Sequence, residues 1–173
     1  MLFLRHRWSI VLEQPLQEVL VGELLRKRGL RLAVAESCTG GLIGHLLTNV
    51  AGSSTYYMGS VTAYAYEAKV RLLGVSWGTL EKYGAVSAEI AMEMAHGIRL
   101  ALAADIGISV TGIAGPGGGL PEKPVGTTWI GLSSPREEYA RHFLWSGDRL
   151  AFKAQSAQAA LNLLAEYLQK DQA

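Results

Sequence analysis

The sequence predicts a three-layer α/β/α domain built on a mixed, mostly parallel sheet. Three observations predict it. Apolar residues recur at helical spacing in segments that alternate with short apolar runs of strand length. Small-residue and glycine-rich junctions directly follow two of those runs, at Glu36–Gly41 and at Gly112–Gly119. Near the end, two further runs flank a Ser134-Pro135-Arg136-Glu137 turn, which makes them antiparallel partners and the sheet mixed.

The elements follow in order. Val11–Arg28 reads as a helix, with Leu16, Val19, Leu20, Leu24 and Leu25 at helical spacing and Gly29 placed to end it. Leu32–Ala35 is a short strand, Leu42–Val50 a helix and Ala51–Ser54 a loop. Tyr57–Tyr64 is a strand, Glu67–Leu73 a helix ending at Gly74, and Ser76–Tyr83 another short helix. Ser87 opens the clearest helix, with Glu89 in its first turn and an end near Ala104. Ile106–Thr111 is a buried strand and Gly112–Gly126, rich in Gly and Pro, a loop. Thr127–Ser133 and Tyr139–Trp145 form the hairpin, and a last helix runs from about Asp148 to about Lys170.

Composition narrows the function classes. A chain of 173 residues accommodates one domain at roughly 100–200 residues each. We expect that domain to span residues 1–173, with a core at about 16–168 and a flexible segment at 1–10. Hydrophobic residues make up 49% and charged residues 18%, which argues against disorder and against a coiled coil. With 16 Lys and Arg against 15 Asp and Glu, the chain lacks the basic field a nucleic-acid partner needs. No stretch reaches the ~18 uncharged apolar residues of a membrane span. The apolar region from Val86 to Gly115 is broken by Glu89, Glu93, His96, Arg99 and Asp105. The lone Cys38 makes no internal disulfide, and Met1–Ile10 lacks the pattern of a signal peptide, so a cytoplasmic location is expected. His6, His45, His96 and His142 are scattered and no Cys-x-x-Cys exists, so no metal site is expected.

The chemistry concentrates in three segments. In Ala35-Glu36-Ser37-Cys38-Thr39-Gly40-Gly41 a strand hands over to a helix, the place where α/β folds gather ligands. Ser37 and Cys38 are both candidate nucleophiles there, and residue type alone leaves the choice open. In Thr111-Gly112-Ile113-Ala114-Gly115-Pro116-Gly117-Gly118-Gly119 a glycine-rich loop follows a buried strand and lets backbone N–H groups approach an anion. It matches neither a Walker A loop nor Gly-x-Gly-x-x-Gly. In Tyr64-Ala65-Tyr66-Glu67-Ala68-Lys69 the Tyr-x-x-x-Lys of short-chain dehydrogenases is absent, because Ala65 stands four before Lys69.

Taken together with Gly84-Ala85-Val86-Ser87 and Glu122-Lys123-Pro124-Val125-Gly126-Thr127, these segments closely resemble the CinA C-terminal domain family, in order, over about residues 16–168. That family includes nicotinamide-nucleotide amidases, and this chain resembles the stand-alone form. The resemblance implies hydrolysis of nicotinamide mononucleotide to nicotinate mononucleotide and ammonia, with Ser37 as nucleophile and Lys69 as base. It selects Ser37 over Cys38. It implies that Tyr64 orients Lys69 or lines the nicotinamide pocket, and that Thr39, Gly40, Gly41, Tyr66, Thr111, Gly112, Gly115, Gly117, Gly118 and Arg149 contact substrate. No cofactor is implied. The family usually reads Tyr-Ser-Asn-Glu-Ala-Lys where this chain has Ala65-Tyr66, which puts rate or specificity at issue. A pyridine-nucleotide-binding module without turnover, and a Ser-Lys amidase for another carboxamide, stay open as alternatives. A homodimer is expected, with Trp129 and Trp145 on adjacent strands; the competing reading puts both tryptophans in the core.

Overall fold

The computed structural model describes residues 16–170. The expected helix start at Val11 and the expected flexible segment 1–10 lie outside them. Along the chain run α1 (Gln17–Arg28), β1 (Leu32–Glu36), α2 (Leu42–Thr48), β2 (Tyr57–Thr62), α3 (Tyr66–Leu73), α4 (Trp77–Tyr83), α5 (Ala88–Ala101), β3 (Ile106–Gly112), β4 (Thr127–Ser133), β5 (Glu138–Leu144) and α6 (Arg149–Lys170). The segment read as a loop after α2 contains one 3-10 turn, Ser53–Thr55.

Helix ends follow local chemistry. Gly29 and Gly74 take left-handed conformations at φ 62° and 67°, where a side chain would be strained. Beyond Gly74 the Val75 N–H donates back to the Lys69 carbonyl at 3.2 Å, closing α3 within a turn of its lysine. The Ser76 and Ser87 hydroxyls cap α4 and α5 by accepting from the Thr79 and Ile90 N–H groups.

The five strands lie in the order β2-β1-β3-β4-β5. β1 pairs in parallel with both β2 and β3, and β3–β4 and β4–β5 are antiparallel. Four strands therefore point one way and β4 alone opposes them, so the mixed, mostly parallel sheet is borne out. β1 is buried on both faces. Leu32 and Val34 join the core under α1, α2 and α6, whereas Ala33 and Ala35 face the core of α3, α4 and α5. This places helices on both sides of the sheet and makes three layers. α5 sits almost on the backbone of β4: a methyl group at Gly131 would run into the Ala91 carbonyl oxygen.

This topology decides where a site can form. From β1 the chain reaches its neighbour β2 on one side and its neighbour β3 on the other, which opens a crevice at the carboxyl end of β1. Register aligns the three strand ends, with Glu36 opposite both Thr62 and Val110. The Ser37 N–H donates to the Val110 carbonyl at 3.1 Å, and the Ala63 N–H to the Glu36 carbonyl at 2.8 Å.

Candidate active site

At that crevice lies a cavity of about 200 Å³ lined by Ser37, Cys38, Tyr64, Lys69, Ala85, Val86, Thr111, Gly112, Ala114 and Arg149. Its chemical centre is a pair of side chains 32 residues apart in sequence. The Lys69 Nζ donates to the Ser37 Oγ at 3.0 Å. It also donates to the main-chain carbonyls of Ala63 at 2.7 Å and Tyr64 at 3.3 Å. Lys69 is 1% exposed and reaches this point from α3. Burial pulls its pKa from 10.5 down to about 8, because desolvation penalises the ammonium.

Cys38 takes a different role from its neighbour. Its side chain packs in the core under α1, α2 and α6. Burial pushes its thiol up to about 12, so it stays protonated at neutral pH. Of the two adjacent candidates, Ser37 is the one whose oxygen meets an amine.

The turn carrying Ser37 is held from below by Glu36, a residue the sequence reading passed over. Glu36 is fully buried. Its Oε2 accepts from the Thr39 hydroxyl at 2.7 Å and from the Gly41 and Ile43 N–H groups at 2.9 and 3.1 Å. Its Oε1 accepts from the Gly44 N–H at 2.9 Å. The start of α2, expected to offer its amides to a ligand, is thus occupied by the chain's own carboxylate. The sequence signal was a single charged residue ending the apolar run Leu32–Ala35.

The other expected site residues divide into groups. Thr39 is buried and turned toward Glu36. Gly40 and Gly41 adopt φ 64° and 96°, and the Gly40 N–H is spent on the Ser37 carbonyl at 3.2 Å. The amides of Cys38 and Thr39 enter no such backbone pairing among the described residues and lie toward the Cys38 sulfur. Thr111 and Gly112 line the cavity, and the Thr111 hydroxyl donates to the Ala85 carbonyl at 2.7 Å. Arg149 lines it too, donating to the Gly115 carbonyl at 2.8 Å and to the Tyr64 hydroxyl at 2.9 Å. Gly115 therefore contributes its carbonyl to Arg149. Gly117 and Gly118 sit exposed in the loop, and Tyr66 is exposed at the start of α3, outside the cavity lining. Lys153, which the sequence reading also missed, lies with its Nζ 3.5 Å from where a methyl group on Gly40 would be.

A larger cavity, about 460 Å³, lies between α3, α5 and β5. It holds no nucleophile, and two of its three carboxylates are engaged: Glu93 with Ser76 and Thr79, Glu138 with His96 and Ser133. Among the described residues no three His, Cys, Asp or Glu side chains converge as a metal site would require. No described helix is long and apolar enough to cross a membrane.

Comparison with known proteins gives the family. Residues 14–168 match the model of the CinA C-terminal domain. A CinA-like protein of Salinibacter ruber is 51% identical over 144 residues, covering 83% of this chain and 35% of that protein. Another, of Desulfotalea psychrophila, is 50% identical over 152 residues, covering 88% of this chain and 37% of its own. The chain thus spans little more than a third of the length of these two relatives. A solved CinA superfamily structure from Klebsiella pneumoniae superposes with a TM-score of 0.86 at 34% identity, covering 91% of this chain and 99% of that one. A competence or damage-inducible protein from Enterobacter asburiae gives 0.85 at 34% identity, covering 90% and 99%. Sequence and fold agree over nearly all the described residues, and the chain belongs to the CinA C-terminal domain family.

Proposed function

We propose that this chain is a Ser-Lys amidohydrolase that converts nicotinamide mononucleotide to nicotinate mononucleotide and ammonia. The observation that carries the reading is the buried Lys69 Nζ at 3.0 Å from the Ser37 Oγ. A serine hydroxyl is a weak nucleophile until a base takes its proton. A lysine with a pKa of about 8 is neutral in about a tenth of molecules at pH 7, far more often than one at 10.5. When it is neutral, its two hydrogens satisfy the Ala63 and Tyr64 carbonyls. Its lone pair then faces the Ser37 hydroxyl.

In the proposed sequence Ser37 attacks the carboxamide carbon while Lys69 accepts the hydroxyl proton. The oxyanion forms against the Cys38 and Thr39 amides, which have no backbone carbonyl partner among the described residues. Lys69 then passes its proton to the departing nitrogen, which leaves as ammonia, and an ester on Ser37 remains. Water, deprotonated by Lys69, hydrolyses that ester and regenerates the pair. The small cavity suits the pyridine ring with its carboxamide, and the ribose and phosphate extend outward past Tyr64 and Arg149. The nucleotide substrate is inferred from the family resemblance; the nucleophile and base are inferred from geometry.

The test is ammonia release from nicotinamide mononucleotide by the wild type beside S37A and K69A. The wild type should turn over, and each variant should lose roughly 10,000-fold or more while retaining its circular dichroism. A folded wild type that releases no ammonia removes the amidase reading and leaves a nucleotide-binding module. Preferred turnover of a non-nucleotide carboxamide would keep the dyad and change the substrate.

A further inference from the structure

We infer that Lys153 is the phosphate anchor of the proposed substrate site, set on the outer side of the Ser37–Gly41 turn. The inference rests on the amidase reading for the identity of the substrate. A nucleotide monophosphate carries close to two negative charges at neutral pH and needs fixed donors or cations to receive them. The positions that usually serve are taken. At the start of α2, Glu36 accepts from the Gly41, Ile43 and Gly44 N–H groups. At the start of α6, the Asp148 side chain accepts from the Ala151 N–H at 2.8 Å, and the Asp148 carbonyl from the Phe152 N–H.

Two cations remain near the rim of the cavity. Arg149 and Lys153 stand four residues apart on α6 and so share a face, one turn from each other. Arg149 already directs one terminal nitrogen to Gly115 and the other to Tyr64, and works as a strut joining α6 to the glycine-rich loop and the cavity wall. Lys153 is half-buried, and among the described residues no hydrogen bond or ion pair engages it. Its Nζ lies beside exposed Gly40, 3.5 Å from where a methyl group on it would be, which sets the amine against the turn that carries Ser37. No carboxylate is among the residues that line the cavity, and the Glu36 carboxylate under the turn is taken up by its own four donors. Arg149 holds the wall and Lys153 receives the phosphate.

The test compares kcat/KM for nicotinamide mononucleotide and nicotinamide riboside, which lacks only the phosphate, in the wild type, K153M and K153R. K153M keeps the aliphatic stem; K153Q replaces it if K153M does not fold. The wild type should prefer the nucleotide. K153M should cut that preference by on the order of 10- to 100-fold, the range of one hydrogen bond to a charged group, chiefly through KM. K153R should recover most of it. An unchanged preference in K153M overturns the inference and leaves the amidase reading intact. If the wild type hydrolyses neither compound, the amidase reading fails by itself. The anchor is then read from calorimetric binding of nicotinate mononucleotide against its riboside: a preference that vanishes in K153M supports it, and no preference overturns it.

Discussion

Lys69 carries two opposing requirements. Its amine must reach Ser37 in a dry pocket, and that dryness is what keeps it from holding a proton tightly. Activity should therefore rise about tenfold per pH unit below about 8 and level off above it, if Lys69 is the base. Stability should carry the same signature. Between pH 8 and 10.5 the unfolded chain binds a proton at Lys69 that the folded chain has released, so folding becomes more favourable as pH rises through that window. The penalty is fully present below 8 and gone above 10.5, and its size is about 3 kcal/mol. Cys38 acts in the opposite sense from 9 to about 12, so the wild type alone gives a blurred curve. The difference between wild type and K69M in urea unfolding isolates the lysine. It should favour K69M most near pH 7 and shrink toward pH 10.5. A difference that is flat with pH would show that the buried amine loses no proton in that range.

At the scale of elements, α2 is the one whose start defies its own sequence. Gly41 stands at its N-cap with no side chain to offer, yet the helix is capped by a carboxylate five residues back at the end of β1. The cap fastens strand, turn and helix into one unit, and Ser37 rides on the turn between them. Replacing Glu36 by Gln would set an amide –NH2 against N–H groups that all donate. E36Q should cost about 3 kcal/mol in chemical denaturation, since charged hydrogen bonds are replaced by fewer neutral ones. A loss below about 1 kcal/mol would mean the turn holds without the carboxylate. Such long-range capping is illegible from spacing rules, which look for Ser, Thr, Asp or Asn next to the helix. Local caps were legible: Ser76, Ser87, Gly29 and Gly74 all act where the sequence places them.

For the whole molecule, the sequence carried the layered architecture because period and punctuation are local properties. Thr127–Ser133 was read with its observed bounds, and the hairpin partner was shifted by one residue. The meeting of Ser37 and Lys69 was not legible from spacing. It arises from the parallel register of β1, β2 and β3, and only the family resemblance pointed at the pair beforehand. The same limit applies to Lys153, which becomes visible once α6 lies beside the first turn. The expected homodimer now has a surface to consider. β5 is the outer strand beside β4, with Leu144 60% exposed and His142 tilted against Trp129 at 4.9 Å. Trp145 is half-buried and stacked on Phe143 at 5.1 Å. Light scattering should give twice the chain mass of 18.6 kDa, and L144E should return it to one copy. A monomer in the wild type ends the dimer proposal.

Lys69 is gripped by the carbonyl oxygens of Ala63 and Tyr64, which every residue type supplies alike. Side chains over this stretch are therefore released from holding the amine, and beyond Tyr64, whose hydroxyl meets Arg149, the segment can drift through mutation so long as its backbone path survives. That gives Ala65-Tyr66, which departs from the Ser-Asn of the family pattern resembled above, a physical reading: the fold asks for a main chain here and leaves the choice of side chain to other pressures.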